Sequence, residues 1–258
     1  MKIPKIIHYC WFGRNPLPPL ALECIASWRK FLPDYKIKEW NEDNFDVNMM
    51  PYTSEAYAQK KYAFVSDVAR FWILYHYGGV YFDTDVEVIR PMDDIIEKGN
   101  FMGFETDPDG ENSPLKYAPR FAYSVNPGVG IGMEIQHHFC KSMLDLYSNL
   151  KYEDSTLNPY KKTIVAYTTE VLMNEGLQGI KGIQQVGDIT IYPSEFFAPI
   201  NVVTGRLHIT HNTRTIHRYM GSWDSQKNGT FKQKIRYLLP EWLLIQVNKI
   251  KRRKFRIK

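Results

Sequence analysis

The sequence predicts an α/β fold, a sandwich on a mainly parallel sheet flanked by helices, and three observations carry that reading. Strand-like runs and helix-length amphipathic segments alternate from Ile3 to Val88. The longest apolar stripe, Phe64, Val65, Val68, Phe71, Trp72 and Tyr75, recurs at three- and four-residue steps and halts at Gly78-Gly79, as a helix should. A new apolar run, Val80-Tyr81-Phe82, follows at once and ends in Asp83-Thr84-Asp85.

Taken in order, Ile3 to Trp11 reads as a strand, and the segment from Gly13 to Pro19 as a turn. A helix is expected from Leu20 to Phe31, ended by Leu32-Pro33-Asp34, then a short strand from Tyr35 to Trp40. One helix is expected from Ser54 to Tyr77, and one strand from Val80 through Val88. Thr106 to Gly132, rich in Pro, Gly, Asn and Ser, reads as loops of the kind that hold ligands over a sheet. Helices are expected over Ile135–Leu150 and Ile164–Glu175, and strands over Ile189–Pro193 and Leu207–Thr210.

The chemistry centres on Asp83 and Asp85. On a strand, residues two apart face the same way, so both carboxylates would share one side. Two acids held together repel unless a cation lies between them, and a hard divalent ion with oxygen ligands is the natural partner. Loss of a diphosphate gains most from such an ion. Asp67 and Arg70, three apart on the preceding helix, read either as a surface ion pair or as a hydroxyl acceptor and a sugar or phosphate donor. His208, His211 and His217 cluster late in the chain and read either as surface or hydrogen-bonded histidines, the more usual case, or as a further nitrogen ligand.

Composition narrows the classes. The 258 residues fit one domain, with no apolar run of bilayer-spanning length, and the start shows no signal-peptide pattern. Three scattered cysteines (Cys10, Cys24, Cys140) form neither a disulfide framework nor a zinc pattern, which points to a reducing cytoplasm. The net charge of +5 is concentrated at the end, where Lys249 to Lys258 hold four Lys, three Arg and no acid. Behind an apolar segment from Tyr237 to Val247, that run reads as a peripheral contact with anionic membrane or as a solvated tail. Nucleic acid is not expected as a partner, because the basic residues form no stripe across the domain.

Ser66-Asp67-X-X-Arg70 followed by Gly78-Gly79-Val80-Tyr81-Phe82-Asp83-Thr84-Asp85 resembles the signature of glycosyltransferase family 32. That family includes yeast-type initiating mannosyltransferases and bacterial capsular polysaccharide enzymes, and the block is also similar to the catalytic domains of large glucosylating toxins. Ile3 to Gly13, Leu32-Pro33-Asp34-Tyr35, Trp40-Asn41, Ile216-His217 and Gly221-Ser222-Trp223 extend the likeness. The resemblance implies a GT-A-type nucleotide-sugar-binding fold over residues 1–235, with 236–258 as an apolar and basic helical tail. It also implies Mn²⁺ or Mg²⁺ dependence and retention of anomeric configuration. Asp83, Asp85 and His217 would hold the metal. The donor would meet Trp11, Ser66, Asp67, Arg70, Tyr81, Asp83, Ser222 and Trp223, with Arg70, Asp83 and Asp85 catalytic. Asn126 and Gly128 are assigned to a saccharide or lipid-linked saccharide acceptor. A UDP-sugar is the favoured donor, and cell-surface polysaccharide or glycan synthesis the expected setting.

Two other classes stay open. An apolar strand ending in Asp-Thr-Asp also suits a haloacid-dehalogenase-like phosphatase, with Asp83 as nucleophile, although Val86 to Ile89 is expected to continue the strand. A non-catalytic nucleotide-sugar-binding module would bind donor without turnover.

Overall fold

The computed structural model describes residues 2–108, 123–152, 163–201 and 205–220. The expected tail at 236–258, its membrane contact, and Ser222 and Trp223 lie outside the described residues. No helix among those described is long and apolar enough to cross a membrane.

The chain opens with β1 (Ile6–Cys10), α1 (Pro19–Phe31) and β2 (Lys36–Trp40), then α2 (Pro51–Ala58) and α3 (Tyr62–Tyr77). β3 (Gly79–Tyr81), β4 (Val86–Val88), α4 (Asp93–Ile96) and β5 (Phe101–Thr106) follow. β6 (Ser124–Val125), β7 (Ile131–Met133), α5 (His138–Ser148) and α6 (Ile164–Asn174) come next. The described part closes with β8 (Gln184–Val186), β9 (Ile189–Tyr192), α7 (Ser194–Phe197) and β10 (Thr215–His217).

Eight strands form one sheet in the order β2-β1-β3-β7-β5-β9-β8, with β6 beside β5. The predicted α/β class holds. β1, β2, β3, β5 and β9 run one way, while β7, β8 and β6 oppose them. One face packs on α2, α3, α5 and α6 through a core that includes Val68, Phe71, Leu74, Phe139 and Met143. The other packs on α1, α4 and α7 through Trp28, Ile95, Phe196 and Phe197. β4 and β10 stand apart as a two-stranded antiparallel sheet.

Four expectations need correction. The helix from Ser54 to Tyr77 is two helices. α2 closes with Lys61 N–H bonded to Ala56 O (2.9 Å) and Lys60 N–H to Tyr57 O (2.9 Å), Lys60 lying at φ 58. That is a Schellman close with lysine in the left-handed position usually given to glycine, so no glycine marked it. The strand from Val80 to Val88 is likewise broken. After Tyr81, Phe82 N–H bonds to His8 O (3.1 Å), Asp83 N–H to Gly128 O (3.0 Å) and Val86 N–H back to Asp83 O (3.0 Å). The chain therefore turns at the acidic pair and resumes in the other sheet, held there by Trp28 Nε1–H on Val86 O (2.7 Å). The loop expected from Thr106 to Gly132 contains β6 and runs into β7, and Leu207 makes only an isolated bridge to Ile200.

Candidate active site

β1, β3 and β5 run parallel and end on one edge, where open α/β sheets place their ligands. Asp83 and Asp85 sit on this edge. The turn, rather than strand alternation, is what aims both acids at one point, since β3 has already ended.

α3 supplies the positive side. Gly78 (φ 58) and Gly79 (φ 102) let the chain reverse from the helix into β3, and a methyl on Gly79 would lie 2.6 Å from Ile6 O. The tight reversal sets α3 against the strand end. Arg70 is 3% exposed, and its Nη2 lies 3.1 Å from Asp67 Oδ1 and 3.2 Å from Asp83 Oδ1. Its Nε–H donates to Ser66 O (3.2 Å), and the guanidinium lies over the Tyr81 ring, 4.8 Å from its centroid. The Asp67–Arg70 pair is thus no surface pair. It is buried and shared with Asp83. Burial works against the charged guanidinium, but Asp83 and Asp67 more than offset it and hold Arg70 protonated. Arg70 Nη1 is buried without a hydrogen-bond partner among the described residues.

β10 supplies the opposite side. Its pairing with β4 puts His217 against Val86, and Arg218 N–H bonds to Asp85 O (2.8 Å). His217 Nε2 lies 3.2 Å from Asp85 Oδ1, and Met220 N–H donates to Asp85 Oδ2 (2.8 Å). Burial would lower the His217 pKa, yet Asp85, with Asp83 and Glu105 farther off, pushes it up to about 9. Burial would raise that of Asp85, but His217 and the Met220 amide bring it down to about 2.

One carboxylate oxygen each from Asp83 and Asp85 and one ring nitrogen of His217 all lie within 4.8 Å of one another. Two carboxylate oxygens and an imidazole, neutral when it ligates, suit Mn²⁺ or Mg²⁺. The residues present fit a divalent ion.

The remaining predicted residues are distributed around this point. Trp11, half-buried just past β1, donates its indole N–H to Asn15 O (2.6 Å). Ser66 is half-buried on α3, its hydroxyl on Tyr62 O (3.3 Å). The Tyr81 ring is buried and only its hydroxyl reaches the site, donating to Asp83 Oδ1 (3.2 Å). Asn126 and Gly128 form the turn behind Asp83, with Gly128 N–H on Asn126 Oδ1 (2.7 Å). His208 and His211 are exposed and do not join the cluster.

A site acid that the sequence did not single out is Glu105, at the end of β5. It accepts from Asn126 Nδ2–H (3.0 Å), and burial raises its pKa against the opposing pull of His217 and Asn126. Its signal was an acid closing the apolar run Phe101-Met102-Gly103-Phe104. His137, His138 and Asp188 also gather within metal-ligand distance. There His137 Nδ1 caps α5 by accepting Phe139 N–H (3.2 Å), so Nε2 carries the proton toward Asp188 Oδ1 (3.0 Å). Both ring nitrogens are engaged in holding the helix end.

Residues 18–102 match the family model described as a glycosyltransferase sugar-binding region containing the DXD motif. This segment is therefore similar to glycosyltransferase DXD regions. Among curated relatives, inositol phosphoceramide mannosyltransferase 1 of Schizosaccharomyces pombe is 34% identical over 42% of this chain and 36% of its own. Inositol phosphoceramide mannosyltransferase 3 of the same organism is 30% identical over 48% of this chain and 39% of its own. The match thus takes in well under half the length of these relatives. A solved structure, PaToxG glycosyltransferase, superposes with a TM-score of 0.46 at 19% identity, over 67% of this chain and 70% of that chain. The DXD motif within the matched segment is Asp83-Thr84-Asp85. The match speaks against the phosphatase reading, whose sequence-level counterargument, a continuous strand, does not hold.

Proposed function

We propose that this glycosyltransferase moves a sugar from a nucleoside-diphosphate donor to a hydroxyl of a saccharide or lipid-linked saccharide, with metal dependence and retention, in cell-surface polysaccharide or glycan synthesis. The observation that carries the reading is the convergence of Asp83, Asp85 and His217 beside the buried Arg70.

A Mn²⁺ or Mg²⁺ held by Asp83, Asp85 and His217 supplies positive charge against which the diphosphate leaves. Arg70 and the Tyr81 hydroxyl fix the rotamer of Asp83, and Arg70 Nη1 has a donor to spare for the sugar. Asp67, with Ser66 beside it, accepts donor hydroxyls. Trp11 stacks on the base, and Ser222 with Trp223 covers the diphosphate. The acceptor hydroxyl attacks the anomeric carbon from the face the diphosphate leaves. One carbon–oxygen bond forms as the other breaks, and the hydroxyl proton passes to the departing phosphate oxygen. UDP is placed ahead of GDP on the toxin-like resemblance, while the relatives named mannosyltransferases put mannose among the first sugars to test. The basic run at Lys249–Lys258 is assigned to an anionic membrane surface on the cytoplasmic side.

A panel of UDP- and GDP-sugars, each with and without Mn²⁺, tests the reading through the melting temperature, because a bound donor raises apparent stability. One donor should stabilise the wild type only with metal, and Asp85→Ala should lose that response while still folding. An unchanged Mn²⁺-dependent shift in Asp85→Ala would refute the metal assignment.

A further inference from the structure

Glu105 is tied to the metal-binding turn by an unbroken chain of hydrogen bonds. From the end of β5 its Oε1 accepts Asn126 Nδ2–H at 3.0 Å. The other end of the same amide, Asn126 Oδ1, accepts Gly128 N–H at 2.7 Å. Gly128 O then accepts Asp83 N–H at 3.0 Å. The two partners of Asn126 demand opposite things, an acceptor for its NH₂ and a donor for its oxygen, so together they permit one amide orientation. Without Glu105, the Gly128 amide is what holds it among the described residues.

Val129 anchors the far half of the turn by packing into the core, and hydrogen bonds set how its first half lies. β6 is two residues long and β7 begins only at Ile131, so residues 126–130 lie between strands. Asn126 N–H on Gly103 O (3.1 Å) fixes where the turn leaves β5 and not how it lies against Asp83. The fit there is close: a methyl on Gly128 would stand 2.0 Å from Asp83 Oδ2 and 3.0 Å from Asn126 Oδ1. A small rotation of the turn is therefore felt at the carboxylate.

We infer that Glu105 is a positioning residue for the metal site, acting through Asn126 and Gly128 to hold the backbone and carboxylate of Asp83 in place. The inference rests on the reading of Asp83 and Asp85 as metal ligands. Outer partners of this kind typically set about 10–100-fold in metal affinity by orienting the ligand they support. A carboxylate near a cation can also act by its charge alone, and the two modes make different predictions. Acting by charge, Glu105 does not need Asn126. Acting by position, it needs Asn126 and not its own charge.

The test is titration of the full chain with Mn²⁺ alone, read by the loss of the free-ion resonance, alongside melting curves. Glu105→Ala and Asn126→Ala should each weaken Mn²⁺ binding by roughly tenfold. The double variant should be no weaker than the weaker single, because both break the same chain. Glu105→Gln, whose amide oxygen accepts the same hydrogen bond, should stay close to wild type. Losses that add in the double variant, or Glu105→Gln as weak as Glu105→Ala, would overturn the inference. Should Glu105→Ala not fold, Glu105→Leu fills the position and is read the same way. Asp85→Ala separates the levels: if it binds Mn²⁺ like wild type, the metal site itself is wrong. If it loses binding while Glu105→Ala does not, only the role of Glu105 falls.

Discussion

Gly128→Ala is the smallest change expected to disable the site. The added methyl would sit 2.0 Å from Asp83 Oδ2 and 2.9 Å from its Cγ, where side-chain carbons do not come within 3.0 Å. Relief needs a movement of about 1 Å by the turn or the carboxylate, and a misplacement of about 1 Å at a reacting centre costs on the order of a hundredfold in rate. Rotating Asp83 instead breaks its 3.2 Å contacts with Arg70 and with the Tyr81 hydroxyl. Either route should lower kcat/KM by about two orders of magnitude, while the cooperative melt persists because the turn lies at the rim of the sheet. Steady-state kinetics with the donor found in the nucleotide-sugar panel, together with Mn²⁺ titration, reads both effects. Wild-type turnover and Mn²⁺ affinity in Gly128→Ala would refute the claim that this turn is pressed against the metal ligand.

Arg70→Leu leaves Asp67 and Asp83 without their shared cation and should cost about 3 kcal/mol in urea unfolding, since removing one partner of a buried pair strands the other. Equal unfolding midpoints would place the pair in water. In EDTA, the raised His217 pKa makes its pairing with Asp85 a stabilising term. That term is fully present below the unfolded histidine value near 6.5 and lost as pH rises through about 9. Melting temperature should fall across that window in wild type and stay flatter in His217→Gln, and parallel profiles would reject the pairing. Incubation with a generic phosphate ester and Mg²⁺ should give no turnover, and hydrolysis abolished by Asp83→Asn would revive the phosphatase.

The helices and sheet were legible where periodicity meets punctuation. α1 and α3 end where Pro33 and Gly78 say they should, and the run into β3 follows from Gly78-Gly79. The break at Lys60 was hidden because lysine has a Cβ and gives no signal for a left-handed residue. β4 was misread as the end of β3 because Val86-Glu87-Val88 is itself strand-like, and only the distant residues Thr215–His217 show that it pairs elsewhere. β7 escaped notice because its three residues include Gly132 and follow a glycine-rich stretch. At the site, the Asp83–Asp85 spacing and the Asp67–Arg70 spacing picked out residues that the structure brings together. That Arg70 joins Asp67 to Asp83 could not be read locally, nor could the link from Glu105 to Asp83, whose intermediates, Asn126 and Gly128, lie in the turn after β6.

The two-stranded ribbon of β4 and β10 has a consequence for the order in which this protein becomes competent. All eight strands of the main sheet, and Asp83 and Asp85 with them, precede residue 193, while His217 arrives only with the ribbon's second strand. A nascent chain released up to that point can complete its sheet yet still lack the imidazole that grips Asp85. The Asp83, Asp85 and His217 cluster can therefore close only late in synthesis, when the last described strand pairs with a partner laid down some hundred and thirty residues earlier (Val86 facing His217).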